Sequence, residues 1–265
     1  MMNAQTGQFP ARRTGPGNPG PDWRAAFGRR VALLRQPAPE TARRPRMQLL
    51  LGEVRASSEP VMRSFRAPLE IPAAGESRVV MLLPGFGTHP LRMRYMAMQL
   101  ERAGHVVKRW GLGFNLGPTV DNFEALERRL ADVRARYGQQ VVLVGWSLGG
   151  IFAREIAKRR PDEVAKVITM GSPFSGSPYD NNAWRIYQLV TGHSVEQPPV
   201  EAQVALKPPV ETVALWSPRD GVISPRSAAG LPGERDRAVA LRCTHLGFSN
   251  SPEAIFTVLR ELERV

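Results

Sequence analysis

Val-Val-Leu-Val-Gly-Trp-Ser-Leu-Gly-Gly, residues 141–150, decides the fold. Its opening apolar residues read as a buried strand. The residues from Leu148 to Arg160 read as an amphipathic helix that stops before Pro161. Between the two lies Gly145-x-Ser147-x-Gly149. A G-x-S-x-G run at a strand-to-helix junction takes the chain through a sharp, strained turn that leaves the serine hydroxyl exposed. Side chains at positions 145 and 149 would collide across that turn, which accounts for both glycines. The helix N-terminus behind Ser147 adds the positive end of its dipole. G-x-S-x-G alone arises often by chance; a strand before it and a helix after it make it specific.

The same alternation extends in both directions from this point. Short, nearly continuous apolar runs predict strands at Val79–Leu83, Val106–Trp110, Val141–Gly145, Val164–Met170, Thr212–Trp216 and Ala238–Arg242. Helix patterns fall between them at Pro90–Ala103, Asp121–Tyr137 (with Asp121 and Glu124 as a capping box), Leu148–Arg160 and Pro252–Leu262, the last with Ser251 as N-cap. Strand–helix alternation of this kind gives an α/β domain over residues 78–265, with a mostly parallel sheet and helices on both faces. Residues 174–209 break the rhythm. They are rich in proline, and a connection that long is usually functional, so they are expected to form a short lid. Within it Ala183–Val190 reads as a helix that offers Trp184, Tyr187 and Leu189 to whatever lies beneath.

Three further runs carry chemistry. Val-Val-Met-Leu-Leu-Pro-Gly-Phe-Gly, residues 79–87, is a strand that ends in a glycine-containing turn. Leu-Trp-Ser-Pro-Arg-Asp-Gly-Val-Ile, residues 215–223, delivers Asp220 from a strand into an Asp-Gly turn. Arg-Cys-Thr-His-Leu-Gly, residues 242–247, delivers His245 into the loop before the last helix. Ser147, Asp220 and His245 therefore each follow their own strand, in the chain order of a nucleophile, acid and base set. Asp180 in the lid is the rival acid. His105 and His193 are badly placed for a base, and His89 fits the cap of the helix beginning at Pro90. Cys243 reads as small packing rather than a nucleophile. Gly111–Gly117 resembles a dinucleotide fingerprint, but its spacing is G-x-G-x-x-x-G and Pro118 interrupts the helix start, so no nucleotide cofactor is expected there.

P-G-F at 84–86, the G-W-S-L-G-G elbow, M-G-S-P-F at 170–174, S-P-R-D-G-V at 217–222 and T-H-L-G-F at 244–248 fall in order. Together they resemble the α/β-hydrolase superfamily, and most of all its small bacterial lipase-like and esterase-like members of unassigned substrate. The resemblance runs from Arg78 to the C-terminus. It implies a serine esterase with a Ser147–Asp220–His245 catalytic triad and an oxyanion hole built from the amides of Phe86 and Leu148. The implied reaction is hydrolysis of short- to medium-chain carboxylic esters through an acyl-serine, with no metal and no organic cofactor. Pro84 stands where many lipases carry His, and Trp146 replaces the usual lipase His before the serine. The elbow is also similar to that of carboxylesterases that cleave a methyl ester on acyl-carrier-bound pimelate. The alternatives are an esterase or thioesterase for carrier-bound acyl groups, and a hydrolase-fold binding protein without turnover.

Composition bounds the remainder. The 265 residues suffice for a full core, and a single cysteine leaves no internal disulfide framework. The net charge is +12, with +6 in residues 1–77 and +6 in residues 78–265. That excess is dispersed arginine without interleaved aromatics or a nucleic-acid module, so no nucleic-acid partner is expected; an acidic partner remains compatible with it. Apolar runs are far too short to span a membrane, which points away from stable membrane insertion. Arg12-Arg13 has no apolar run after it, and the expected location is cytoplasmic. Residues 1–40, rich in Gly, Pro and Arg, are expected to be a flexible tail with a short helix candidate at Trp23–Leu34. Residues 41–77 are expected to pack on the core as a helical segment, with Met47, Leu50, Leu51 and Val54 on one face.

Overall fold

The computed structural model describes residues 23–57, 68–200 and 202–265. The first 22 residues of the expected tail, and residues 58–67 of the segment after it, lie outside the described residues. The centre is a sheet of β1 (Val79–Leu83), β2 (Val106–Arg109), β3 (Val141–Trp146), β4 (Val164–Met170), β5 (Glu211–Trp216) and β6 (Arg237–Ala240). Its order is β2-β1-β3-β4-β5-β6, and every pairing is parallel. β1, β3 and β4 are central and almost wholly buried, which is why their sequences are apolar without alternation. β6 lies at the edge and leaves the ladder two residues before the expected end, although Leu241 N–H still donates to the Trp216 carbonyl at 2.7 Å.

Helices cover both faces. On one, α3 (Arg94–Arg102) and α8 (Pro252–Leu262) pack Met96, Leu100, Ile255, Val258 and Leu262 against Val80, Leu82, Val142, Val144 and Ile168. On the other, α4 (Val120–Tyr137) and α5 (Leu148–Arg159) pack Phe123, Leu126, Leu130, Phe152 and Ile156 against Val79, Met81, Val141, Leu143 and Val167. The strand residues thus divide by parity between two cores. Each fully buried aliphatic side chain contributes about 1.5–3 kcal/mol.

Local details differ from expectation for clear reasons. α4 starts at Val120, because the Thr119 hydroxyl, not Asp121, accepts the first-turn N–H of Asn122 at 3.1 Å. Pro90–Ala103 divides into a 3₁₀ turn, Pro90–Met93, and α3, with His89 Nδ1 capping the turn at Leu91 N–H. α6 (Trp184–Thr191), in the expected lid segment, ends at left-handed Gly192. α7 (Pro225–Ala229) precedes β6.

The N-terminal segments dock differently from the way their composition reads. α1 (Trp23–Arg35) has no buried residue, so apolar patterning gives it no partner. Long-range hydrogen bonds hold it instead. Gln188 and Arg185 of α6 donate to the carbonyls of Leu33 and Leu34 at 2.8 and 3.2 Å, and Arg30 donates to Leu189 O at 2.7 Å. α2 (Met47–Ser57) turns most of the expected docking face outward: Met47, Leu51 and Val54 are exposed, and Leu50 is half-buried. Its docked side carries Glu53, whose buried carboxylate takes backbone N–H partners from the main domain.

Candidate active site

Ser147 sits between the end of β3 and the start of α5, with φ 53° and ψ −123°. Among the described residues it is the one non-glycine with positive φ. Such a conformation costs on the order of 1–3 kcal/mol and persists only where its surroundings impose it. Here Ser147 N–H is fixed to Met170 O at 2.8 Å. A Cβ on Gly145 would lie 2.4 Å from Gly149 O, and one on Gly149 would lie 2.2 Å from Leu83 O. Backbone crossing at that distance admits only glycine.

Asp220 follows β5 and is fully buried. Its Oδ1 accepts the N–H groups of Val222 and Ile223 at 2.8 and 2.7 Å. Its Oδ2 lies 2.8 Å from Nδ1 of His245, which is also buried. Burial disfavours the charged imidazole, but the charge and hydrogen bond of Asp220, with a further contribution from Glu53, outweigh it and raise the His245 pKa above its ordinary value. The His245 loop is tied to the elbow as well. Trp146 Nε1–H donates to His245 O at 3.0 Å, and the two rings lie 5.6 Å apart. The rival acid, Asp180, is engaged elsewhere: its carboxylate accepts the N–H of Arg43 at 2.5 Å and of Ser177 at 3.3 Å. His89 packs on Phe114, and His105 Nδ1 accepts the N–H of Arg78. Burial pushes the Cys243 thiol up, which suits packing and not attack.

One cavity of about 180 Å³ gathers Ser147, Phe86, Leu148, Trp184, Tyr187 and Ile223 in its lining. Phe86, Leu148, Trp184 and Tyr187 thus line the same cavity as Ser147. The Phe86 and Tyr187 rings lie 5.2 Å apart, and burial pushes the Tyr187 phenol up to about 12. Three residues near the site escape sequence reasoning. Asn115, fully buried, donates from Nδ2 to Pro84 O at 2.8 Å and accepts Gly87 N–H at its own carbonyl at 2.7 Å, so it holds the turn that carries Phe86. The one signal for it was the glycine-rich run 111–117. Arg154, buried in α5, donates to the carbonyls of Val204, Ala205 and Leu206 at 3.0, 3.1 and 3.2 Å and pins the segment after α6 to the main domain. Burial lowers its pKa to about 10. The third is Glu53. Among the described residues, no three His, Cys, Asp or Glu side chains cluster as metal ligands, and no helix is long and apolar enough to cross a membrane.

A family model described as "alpha/beta hydrolase fold" matches residues 78–191. Among solved structures, a lipase of Bacillus licheniformis aligns with a TM-score of 0.53 at 15% identity, over 74% of this chain and 96% of that one. A Listeria innocua gene product aligns at 0.51 and 19% identity, over 72% and 95%. With the parallel sheet and the elbow, these show an α/β-hydrolase fold in this chain. A pimeloyl-[acyl-carrier protein] methyl ester esterase of Vibrio parahaemolyticus is 32% identical over 100 residues, 37% of this chain. The match spans 38% of that relative's length.

Proposed function

We propose that the protein is a serine hydrolase that cleaves carboxylic esters of short to medium acyl chains. The observation that carries this reading is the buried 2.8 Å Asp220–His245 contact, tied through Trp146 to the positive-φ Ser147, which lines an apolar cavity. Ser147 Oγ attacks the ester carbonyl. His245 takes the hydroxyl proton, and Asp220 holds the imidazole tautomer and stabilises the imidazolium. The amides of Phe86 and Leu148 hold the oxyanion, where losing one donor typically costs about 3–4 kcal/mol. Collapse of the tetrahedral intermediate expels the alcohol, which receives the proton from His245 and leaves an acyl-serine. Water, deprotonated by His245, then attacks this ester and releases the acid.

Trp184 and Tyr187 line the acyl side, and the cavity of about 180 Å³ lies below the roughly 300–1,000 Å³ of drug-sized sites. Both favour a short or medium acyl group over long-chain lipid. The experiment is a p-nitrophenyl ester chain-length series, with fluorophosphonate labelling and Ser147→Ala as control. Turnover that peaks at short or medium chains and vanishes in the variant supports the proposal. A hydrolase-fold binding protein would take no label.

A second reading, an esterase or thioesterase for carrier-bound acyl groups, is favoured by the similarity to the Vibrio parahaemolyticus enzyme and by the +12 charge, which suits an acidic partner. Higher kcat/KM on an acyl-carrier-bound ester than on the free ester, lost at high salt, distinguishes it.

A further inference from the structure

Glu53 is a buried acid on α2, 6% exposed, in a segment that precedes the hydrolase family match. Its Oε1 accepts the N–H of His245 at 2.6 Å and of Gly221 at 2.9 Å. Its Oε2 accepts the N–H of Leu246 at 2.9 Å. One carboxylate thus bonds the residue after Asp220, His245 itself and the residue after it. A carboxylate removed from water without partners is very costly, and charge-assisted hydrogen bonds are what offset that cost. The two loops follow different strands, β5 and β6, and Glu53 ties them together.

Gly221 supplies an independent observation. A Cβ there would lie 2.7 Å from both the carbonyl carbon and oxygen of Leu49. Gly221 is not among the glycines with positive φ, so the Asp-Gly turn does not itself require glycine. The glycine makes room for α2, whose backbone reaches the triad loop directly. Asn182 adds a tether, donating from Nδ2 to Pro45 O at 3.2 Å and to Gly221 O at 2.8 Å.

We infer that Glu53 is a positioning residue for the triad, its carboxylate fixing the loops that carry Asp220 and His245 in the register that lets them act on Ser147. The inference rests on the serine-hydrolase reading and extends it into the N-terminal segment. The charged and titratable groups around His245 are Asp220 at its Nδ1, Glu53 at its backbone N–H and the buried Cys243 thiol two residues earlier, while Arg92 lies within electrostatic reach of Glu53. Glu53 adds to Asp220 in favouring the imidazolium, so its removal lowers the His245 pKa. Glutamine has the shape of glutamate, but it sets an NH₂ donor against one of the three N–H groups.

The test compares Glu53→Gln and Glu53→Asp in the full chain. In Glu53→Gln, kcat on a soluble ester falls about ten- to hundredfold, the scale of a misplacement of about 1 Å. KM changes little, and the acid limb of kcat/KM moves to lower pH. Glu53→Asp keeps the charge and returns the limb toward the wild-type position. A merely structural Glu53 lowers Tm and leaves kcat per titrated active site, and the limb, where they were; that result overturns the inference. If Glu53→Gln does not fold, wild-type amide exchange decides. Joint protection of Gly221, His245 and Leu246 supports the inference, and rapid exchange of these amides beside a protected sheet overturns it. If the wild type hydrolyses no ester, the serine-hydrolase reading fails by itself. The NMR titration of His245 then tests Glu53 alone: a lower imidazole pKa in Glu53→Gln supports its role, and an unchanged one overturns it.

Discussion

Trp146 donates its indole N–H to the carbonyl of His245 across 3.0 Å, so the residue before Ser147 holds the His245 loop. In Trp146→Phe the ring remains and the donor is lost. The His245 carbonyl keeps the N–H of Phe248 at 3.3 Å, so the variant loses one hydrogen bond, a cost of about 0.5–1.5 kcal/mol. We expect lower stability by that amount in urea unfolding, and kcat reduced several-fold with KM nearly constant. Unchanged kcat in the folded variant would reduce Trp146 to packing.

Asp220 and Asp180 separate cleanly by their partners. Asp220→Asn favours the wrong tautomer of His245 and should lower kcat by orders of magnitude, about 10⁴ in the serine-protease precedent. Asp180 caps the N–H groups of Arg43 and Ser177, so Asp180→Asn should leave kcat within a few-fold. Steady-state kinetics of the pair checks this; the reverse ranking would move the acid to Asp180.

His245 sets the pH behaviour. Its folded pKa is raised above the ordinary 6.5, so the folded state binds the proton more tightly than the unfolded chain. That contribution to stability is fully present below about pH 6.5 and is lost as pH rises through the folded value. Activity runs the other way, because the base must be neutral. The acid limb of kcat/KM should have its midpoint above pH 6.5, and below the wild-type position in Asp220→Asn. A wild-type midpoint under 6.5 contradicts the assignment.

The lid gives a KM effect. Trp184→Ala removes binding felt equally in ground and transition states, so KM should rise more than kcat falls. Arg154→Met removes its hydrogen bonds to the carbonyls of Val204, Ala205 and Leu206 and should lower stability in urea unfolding by about 1–3 kcal/mol. Residues 1–40 include α1, which α6 grips through Arg185 and Gln188. Deleting them should raise KM several-fold and keep kcat within a few-fold. A collapse of kcat with intact folding would place part of that segment in the catalytic machinery.

What the sequence made legible follows from which forces are local. The elbow glycines, the buried strands and the chain order of Ser147, Asp220 and His245 all rest on short-range sterics and apolar patterning, so a linear reading finds them. α1 and α2 bury no apolar side chain fully, although Leu33, Leu34, Leu49 and Leu50 are half-buried. They dock through polar contacts with residues far along the chain, and hydrophobic periodicity carries no trace of those. The Met47, Leu51 and Val54 stripe pointed away from the side that matters, which holds Glu53. Gly221 read as turn chemistry, whereas its Cβ would strike the Leu49 backbone. Asn115 and Arg154 were hidden for the same reason: each hydrogen-bonds to backbone carbonyls, which no side-chain pattern reveals.

The central claim is that Ser147 is the nucleophile of an acyl-transfer site. Mass spectrometry of the intact chain and its peptides after fluorophosphonate treatment tests it most directly. The account predicts one adduct, on the peptide that contains Ser147, formed in the wild type and absent from a folded Ser147→Ala. An unlabelled wild type, or undiminished labelling in that variant, would contradict it.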